Sequence, residues 1–240
     1  MIQYGLIMGI VASAVFSYGQ PLADISRRLK VLENPTDFKH DASEFSTLPK
    51  VDYHCDNKNQ NTSDFYHVID LNADGLKDLI YSGPCSPYDQ TGIFLNTGRS
   101  LKKMYDYPGK IVSIDKTSSS TIVNILKEAC CCEFYSQYIQ VTINDKSQFT
   151  KNTIVFGAKT KITLASKLKE EKVVGTLRTT PHVNDVIKRD ECNNAVIRGN
   201  QLKRIHDFEN VIQLNKSGPW WLVLYQETNE RSWIGWMRLN

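Results

Sequence analysis

The chain has 240 residues, 41% of them hydrophobic and 23% charged, with a formal net charge of +3. That is room for one large domain or two small ones with ordinary cores, and the composition excludes a disordered chain. The small net charge and the lack of any concentrated Lys/Arg run exclude a phosphate-tracking surface, so nucleic acid is not an expected partner.

The apolar run Leu6–Phe16 is shorter than the roughly 20 residues a membrane-spanning helix needs. Small residues follow at Ser17-Tyr18-Gly19. Residues 1–19 read as a secretory signal peptide, although no Lys or Arg precedes Arg27 to supply a basic n-region. Export to the periplasm or beyond is expected, without stable membrane insertion. Residues 20–49 are expected to hold a short helix and a linker. Leu22, Ile25, Leu29 and Leu32 recur at helical spacing, and Asn34-Pro35 stops the pattern.

From about residue 50 to 156 the texture is β. Short apolar runs fall at Tyr66–Asp70, Leu79–Tyr81, Gly92–Asn96, Ile111–Ile114, Thr121–Leu126, Tyr135–Ile143 and Thr153–Phe156. Turn-like stretches separate them at Ser82-Gly83-Pro84, Asn96-Thr97-Gly98 and Tyr107-Pro108-Gly109. Alternation over Tyr138–Ile143 predicts a strand with one wet face. A second β unit is expected over residues 160–240, with landmarks at Val173–Pro181, Val211–Leu214, Trp220–Tyr225 and Ile234–Leu239. The class is all-β: a blade-like antiparallel domain, then a small barrel. With export, the six cysteines read as a disulfide framework. No Cys-x-x-Cys spacing suggests zinc. Cys55 and Cys85 are each expected to bond one of Cys130, Cys131 and Cys132.

The most specific stretch is Asp70-Leu71-Asn72-Ala73-Asp74-Gly75-Leu76-Lys77-Asp78. Oxygen-bearing side chains stand at alternate positions, glycine permits a reversal, and a carboxylate closes the loop. That arrangement suits a hard, oxygen-preferring dication such as Ca2+. An EF-hand would need an acid at its twelfth position, where Tyr81 stands, and flanking helices. The loop between two strands resembles the FG-GAP/VCBS repeat instead, and Ile93-Phe94-Leu95-Asn96-Thr97-Gly98 resembles the next strand and turn of such a unit. The resemblance implies calcium held by the side chains of Asp70, Asn72, Asp74 and Asp78 and the carbonyl of Leu76. Only one copy of the loop is present, whereas a propeller closes from several blades. His67, on the preceding run, reads as a strand-face residue.

Leu177-Arg178-Thr179-Thr180-Pro181, Gly199, Trp220-Trp221-Leu222-Val223 and Gly235-Trp236-Met237 together resemble the bacterial SH3 (SH3b) domain. The insertion between Pro181 and Gly199 is longer than usual there, and Met237 stands where valine is usual. The resemblance implies a non-catalytic module for a cell-wall, peptide or protein ligand. Trp221, Tyr225 and Trp233 are its candidate ligand-binding residues, because aromatic side chains serve as anchors. Trp220 and Trp221, adjacent in one strand, must face opposite ways. Trp236 is expected in the core, and Trp233 in a polar turn.

No nucleophile elbow, His-Glu-x-x-His or supported Cys/His pair is present. The reading is therefore a non-catalytic exported binding protein with a structural calcium loop. The alternatives are a cell-wall hydrolase whose SH3-like module targets it and a purely structural surface protein.

Overall fold

A computed structural model describes residues 22–51, 53, 62–85, 88–130, 133–189 and 196–238. The expected signal peptide, and Cys55, Cys131, Cys132 and Cys192, lie outside the described residues. The protein is all-β, and among the described residues there is one short α-helix, α1 (Leu22–Leu29), that tightens into a 3-10 turn at Lys30–Leu32. No helix among the described residues is long and apolar enough to cross a membrane.

Strands β1 (Tyr66–Ile69), β2 (Asp78–Cys85), β3 (Tyr88–Asn96) and β4 (Leu101–Pro108) form a four-stranded antiparallel meander. Strands β5 (Lys110–Lys116), β6 (Ser120–Lys127), β7 (Tyr135–Asn144) and β8 (Phe149–Gly157) form a second meander of the same kind. The two pack face to face. Leu71, Ile80, Ile93, Leu95 and Tyr105 of the first meet Ile111, Val123, Ile125, Ile139, Val141 and Ile143 of the second. At the hinge between them, Ile111 N–H donates to Ser82 Oγ at 2.8 Å and Thr91 Oγ1 donates to the Gly109 carbonyl at 2.7 Å.

Both meanders are covered on their far faces, so their strands read as near-continuous apolar runs. Phe45, Leu48, Val51 and Tyr53 lie over Tyr66, Leu79, Tyr81 and Phe94 of the first, with the Phe45 ring stacked on Tyr66 at 4.5 Å. Ile25, Leu29 and Leu32 cover the second, against Leu126, Tyr138 and Ile154. The wet face expected along Tyr138–Ile143 is therefore absent over residues 138–141: Gln140 is only 3% exposed, because α1 and the C-terminal strands occupy the space where water was expected.

The remaining strands are β9 (Lys169–Arg178), β10 (Ile187–Arg189), β11 (Val196–Arg198), β12 (Gln201–Ser217), β13 (Trp220–Gln226) and β14 (Arg231–Arg238). Strands β10 and β11 form a separate two-stranded ribbon. Strands β13, β12, β9 and β14 follow in order, and β14 pairs back onto β13, so the four close into a ring. Closure removes the free edges that an open sheet would present. The ring is filled by Val173, Leu177, Leu202, Ile205, Val211, Val223 and Met237. The 17-residue β12 reaches both neighbours by bending at an irregularity between Ile205 and Glu209.

The sequence suggested a division between residues 156 and 160, at the end of β8 and the start of the segment that leads to β9. Hydrogen bonding crosses it: β14 pairs in parallel with β8, Arg231 opposite Thr153 through Ile234 opposite Phe156. One eight-stranded sheet thus runs from the ring into the second meander.

Candidate metal loop and aromatic face

The loop begins where β1 ends and returns into β2. Ala73 and Gly75 take positive φ, 60° and 86°. A Cβ on Gly75 would meet nothing within 4 Å. Glycine is there for its backbone conformation, not for space. The reversal turns polar groups inward. Asp70 Oδ2 accepts from Gly75 N–H (3.1 Å) and Asp74 Oδ1 from Leu76 N–H (2.8 Å). Asn72 Nδ2 donates to Asp74 Oδ2 (2.8 Å) and to Ser147 Oγ (2.9 Å), in the turn between β7 and β8.

Asp78 is fully enclosed. Its Oδ2 accepts from Leu71 N–H and its Oδ1 from Asn96 N–H, each at 2.7 Å. Burial pushes this carboxyl up to about 6, against the pull of both hydrogen bonds, and the charges of Asp74 and Asp70 add to the rise. Asp78 therefore pins the loop to the start of β2 and to the end of β3. The opposite end of the loop holds an unused acceptor: Asp70 Oδ1 is buried with no hydrogen-bond partner. Leu76 is 38% exposed. Among the described residues, no three His, Cys, Asp or Glu side chains converge as a metal-holding group by themselves. Any such site must use the Asn72 amide or backbone carbonyls as well.

His67 lies on β1, half-buried, with its ring edge-on to Phe38 at 4.9 Å. Its Nδ1 accepts from Asp41 N–H (3.0 Å), and Val68 N–H donates to the Asp41 carbonyl (2.8 Å). Burial lowers its pKa, the Asp41 charge opposes this, and Lys116 adds to the lowering. His67 holds residues 38–41 against the strand edge.

In the ring, Trp220 and Trp221 face opposite ways, as alternation requires. Trp220 is 9% exposed in the core beneath α1, where Trp236 also lies, and Trp221 is half-buried over the ring's own core. Trp221, Tyr225 and Trp233 each pack, partly buried, against that core. Tyr225 stands opposite Trp233, and Trp221 opposite Met237. Trp233 is thus in β14, not in a polar turn. The ladder with Tyr225 and the parallel pairing with β8 draw it into the sheet.

Four further residues bound this face, and sequence reasoning missed them all. Glu227 Oε2 accepts from Trp233 Nε1 at 2.8 Å, and Lys203 pairs with Glu227 while its Nζ stands 5.6 Å above the Trp233 ring. Tyr135 meets the same ring edge-on at 6.4 Å, and the exposed Phe134 lies beside it. Burial pushes the Glu227 carboxyl up, but the hydrogen bonds from Lys203 and Trp233 outweigh it and hold the group below the usual range. No local signal marks these residues, because three separate segments of the chain bring them together.

Comparison with known proteins adds no relative: no family model matches the chain, and no curated protein or solved structure matches it either.

Proposed function

We propose that the chain is a non-catalytic binding protein of the exported class, stabilised by calcium at Asp70–Asp78 and presenting the face of Trp221, Tyr225 and Trp233 to a cell-wall or peptide ligand. The reading takes the first meander and its loop as an FG-GAP/VCBS-type unit and the ring as an SH3b-like module. The observation that carries it is the buried, unpartnered Asp70 Oδ1. A carboxylate oxygen shut away from water without a donor is costly, and a hard cation satisfies it. Asp74, the Leu76 carbonyl and the Asn72 amide oxygen complete an oxygen-only donor set, once the amide turns that oxygen inward. Asp78, near enough to feel the charges of Asp70 and Asp74, gains most from the added positive charge. Calcium bound this way holds a strand-loop-strand unit and takes no part in chemistry.

The test is thermal unfolding of the purified chain in calcium and in chelator, with Asp74→Ala and Asp70→Asn alongside. A midpoint that rises with calcium in the parent and not in either variant is expected, because metal that binds only the folded form adds stability by mass action. The same midpoint in calcium and chelator would reduce the loop to a polar turn. For the aromatic face, retention on cell wall or peptide should weaken in a folded Trp233→Ala variant.

A further inference from the structure

A row of polar side chains crosses the covered face of the second meander, where apolar residues are the rule. Asn124 on β6, Gln140 on β7, Asn152 on β8 and Ser232 on β14 are 1%, 3%, 4% and 0% exposed. Asn124 stands directly opposite Gln140, and Gln140 directly opposite Asn152.

At one end the row is fully bonded, and every amide donates toward β5. Gln140 Nε2 donates to Asn124 Oδ1 (3.0 Å), and Asn124 Nδ2 to Ser113 Oγ (2.9 Å) and Asp115 Oδ2 (2.7 Å). The Tyr138 hydroxyl donates to Asn124 Oδ1 (2.8 Å), with the Arg28 carbonyl at the end of α1 3.3 Å away. At the other end the direct bonds stop. Gln140 Oε1, both amide atoms of Asn152 and Ser232 Oγ are buried with no hydrogen-bond partner.

Buried polar groups in folded proteins are nearly always satisfied, so these atoms define a site. Whatever joins Asn152 Nδ2 to Gln140 Oε1 must accept from the first and donate to the second. Whatever joins Asn152 Oδ1 to Ser232 must donate to the amide oxygen. A hydroxyl does both; a simple anion only accepts, a cation satisfies only the oxygens, and an apolar group does neither. All these residues are enclosed, and water is the smallest hydroxyl compound. We infer that Gln140, Asn152 and Ser232 hold a short file of ordered water as a built-in part of the sheet. Buried water typically makes about three hydrogen bonds to groups otherwise unsatisfied, and this donor and acceptor set supplies them. The position gives the water a role. Asn152 belongs to β8 and Ser232 to β14, the strands whose parallel pairing joins the second meander to the ring. The file bridges that joint.

The test is oxygen-17 magnetic relaxation dispersion on the full chain, with Asn152→Leu and the milder Ser232→Ala, each checked for folding by circular dichroism. The parent should show a contribution from water held longer than nanoseconds. Asn152→Leu should abolish most of it and Ser232→Ala part of it. Amide exchange in β14 should also quicken at least tenfold in Ser232→Ala. A parent without long-lived water, or variants that keep the parent's signal, would overturn the inference. So would native mass spectrometry showing a co-purifying polyol that Asn152→Leu loses, which would assign the site to a sugar-like hydroxyl compound instead.

Discussion

Replacing Asn200 with alanine should destabilise the ring more than any other single polar change there. Asn200 is 8% exposed and follows Gly199 in the turn before β12. Its Nδ2 donates to the Thr180 carbonyl (3.2 Å), Thr180 Oγ1 (2.7 Å) and the His182 carbonyl (2.7 Å). Its Oδ1 accepts from Arg178 Nη1 (3.0 Å) and Asn184 N–H (3.1 Å). Asn200→Ala removes all of these contacts and strips a partner from a guanidinium that is itself 8% exposed. The amide has two N–H donors, shared among three acceptors, and one oxygen with two donors, so it makes at most four full bonds at once; at about 1 kcal/mol net per bond the limit is about 4 kcal/mol. Water can re-solvate the partners on the exposed 181–187 side, which brings the expectation to about 3 kcal/mol. For a chain of this length that corresponds to a midpoint roughly 10 °C lower. Urea unfolding followed by tryptophan fluorescence reads the ring directly, since all four tryptophans lie in β13 and β14. Gln201→Ala, which loses one exposed bond to Asp185, is the control and should change little. If Asn200→Ala costs under about 1 kcal/mol, the turn is held by its backbone and the side-chain argument fails.

Gly199→Ala tests the same turn by sterics: φ is +57°, and a Cβ would lie 1.8 Å from the Asn184 carbonyl oxygen, so a loss of about 3 kcal/mol or failure to fold is expected. Acid should loosen residues 38–41. His67 and His40 both have pKa values lowered first by burial, so the unfolded chain binds protons more readily and their stabilisation, complete above about 6.5, is lost as pH falls toward the folded values. Asp78, raised to about 6, acts with the opposite sign, so the measurement is the difference in urea midpoint between pH 7.5 and 5.5 for the parent against His40→Phe/His67→Leu. Equal differences would rule the histidines out. Non-reducing peptide mapping should link Cys85 to the 130–132 triplet. Tyr88, the partner of Cys85 across the hairpin, has Lys127 5.4 Å from its ring, and a cleft is lined by both residues and by Cys130. A link from Cys85 to Cys192 would refute that placement.

Where a strand is buried on one or both faces, its apolar run was legible. Trp220–Tyr225 lies within β13, and Thr121–Leu126 within β6. What escaped was held by pairing instead of burial. Strand β4 is the outer strand of the first meander, and its Lys102, Lys103, Asp106 and Pro108 are what an edge uses to discourage further pairing. The first half of β12 carries Lys203, Arg204, His206, Asp207 and Glu209. It is extended because β9 lies beside it, and local pattern says nothing of that. The polar positions of β7 suggested water on one face, because sequence cannot show that α1 returns to cover them. The candidate loop was legible because its chemistry is contiguous. Its contact with Ser147, 75 residues away, was not.

That distant contact changes what the loop can do. A polar turn at the rim of one sheet could bind or release an ion without consequence for the rest of the chain. This loop is attached on several sides. Asp78 holds Leu71 N–H and Asn96 N–H, Asn72 reaches the β7–β8 turn, and the Leu71 side chain, 1% exposed, sits in the core between the two meanders. The charges of Asp70 and Asp74, which add to the rise at Asp78, therefore act on a loop tied to both sheets, and not only within nine residues of chain. Positive charge placed at Asp70 Oδ1 would offset them there. It also lets Asp78 remain ionised while buried, which strengthens both of its backbone hydrogen bonds. The physical role open to a cation here is to set how firmly the first meander is seated on the second.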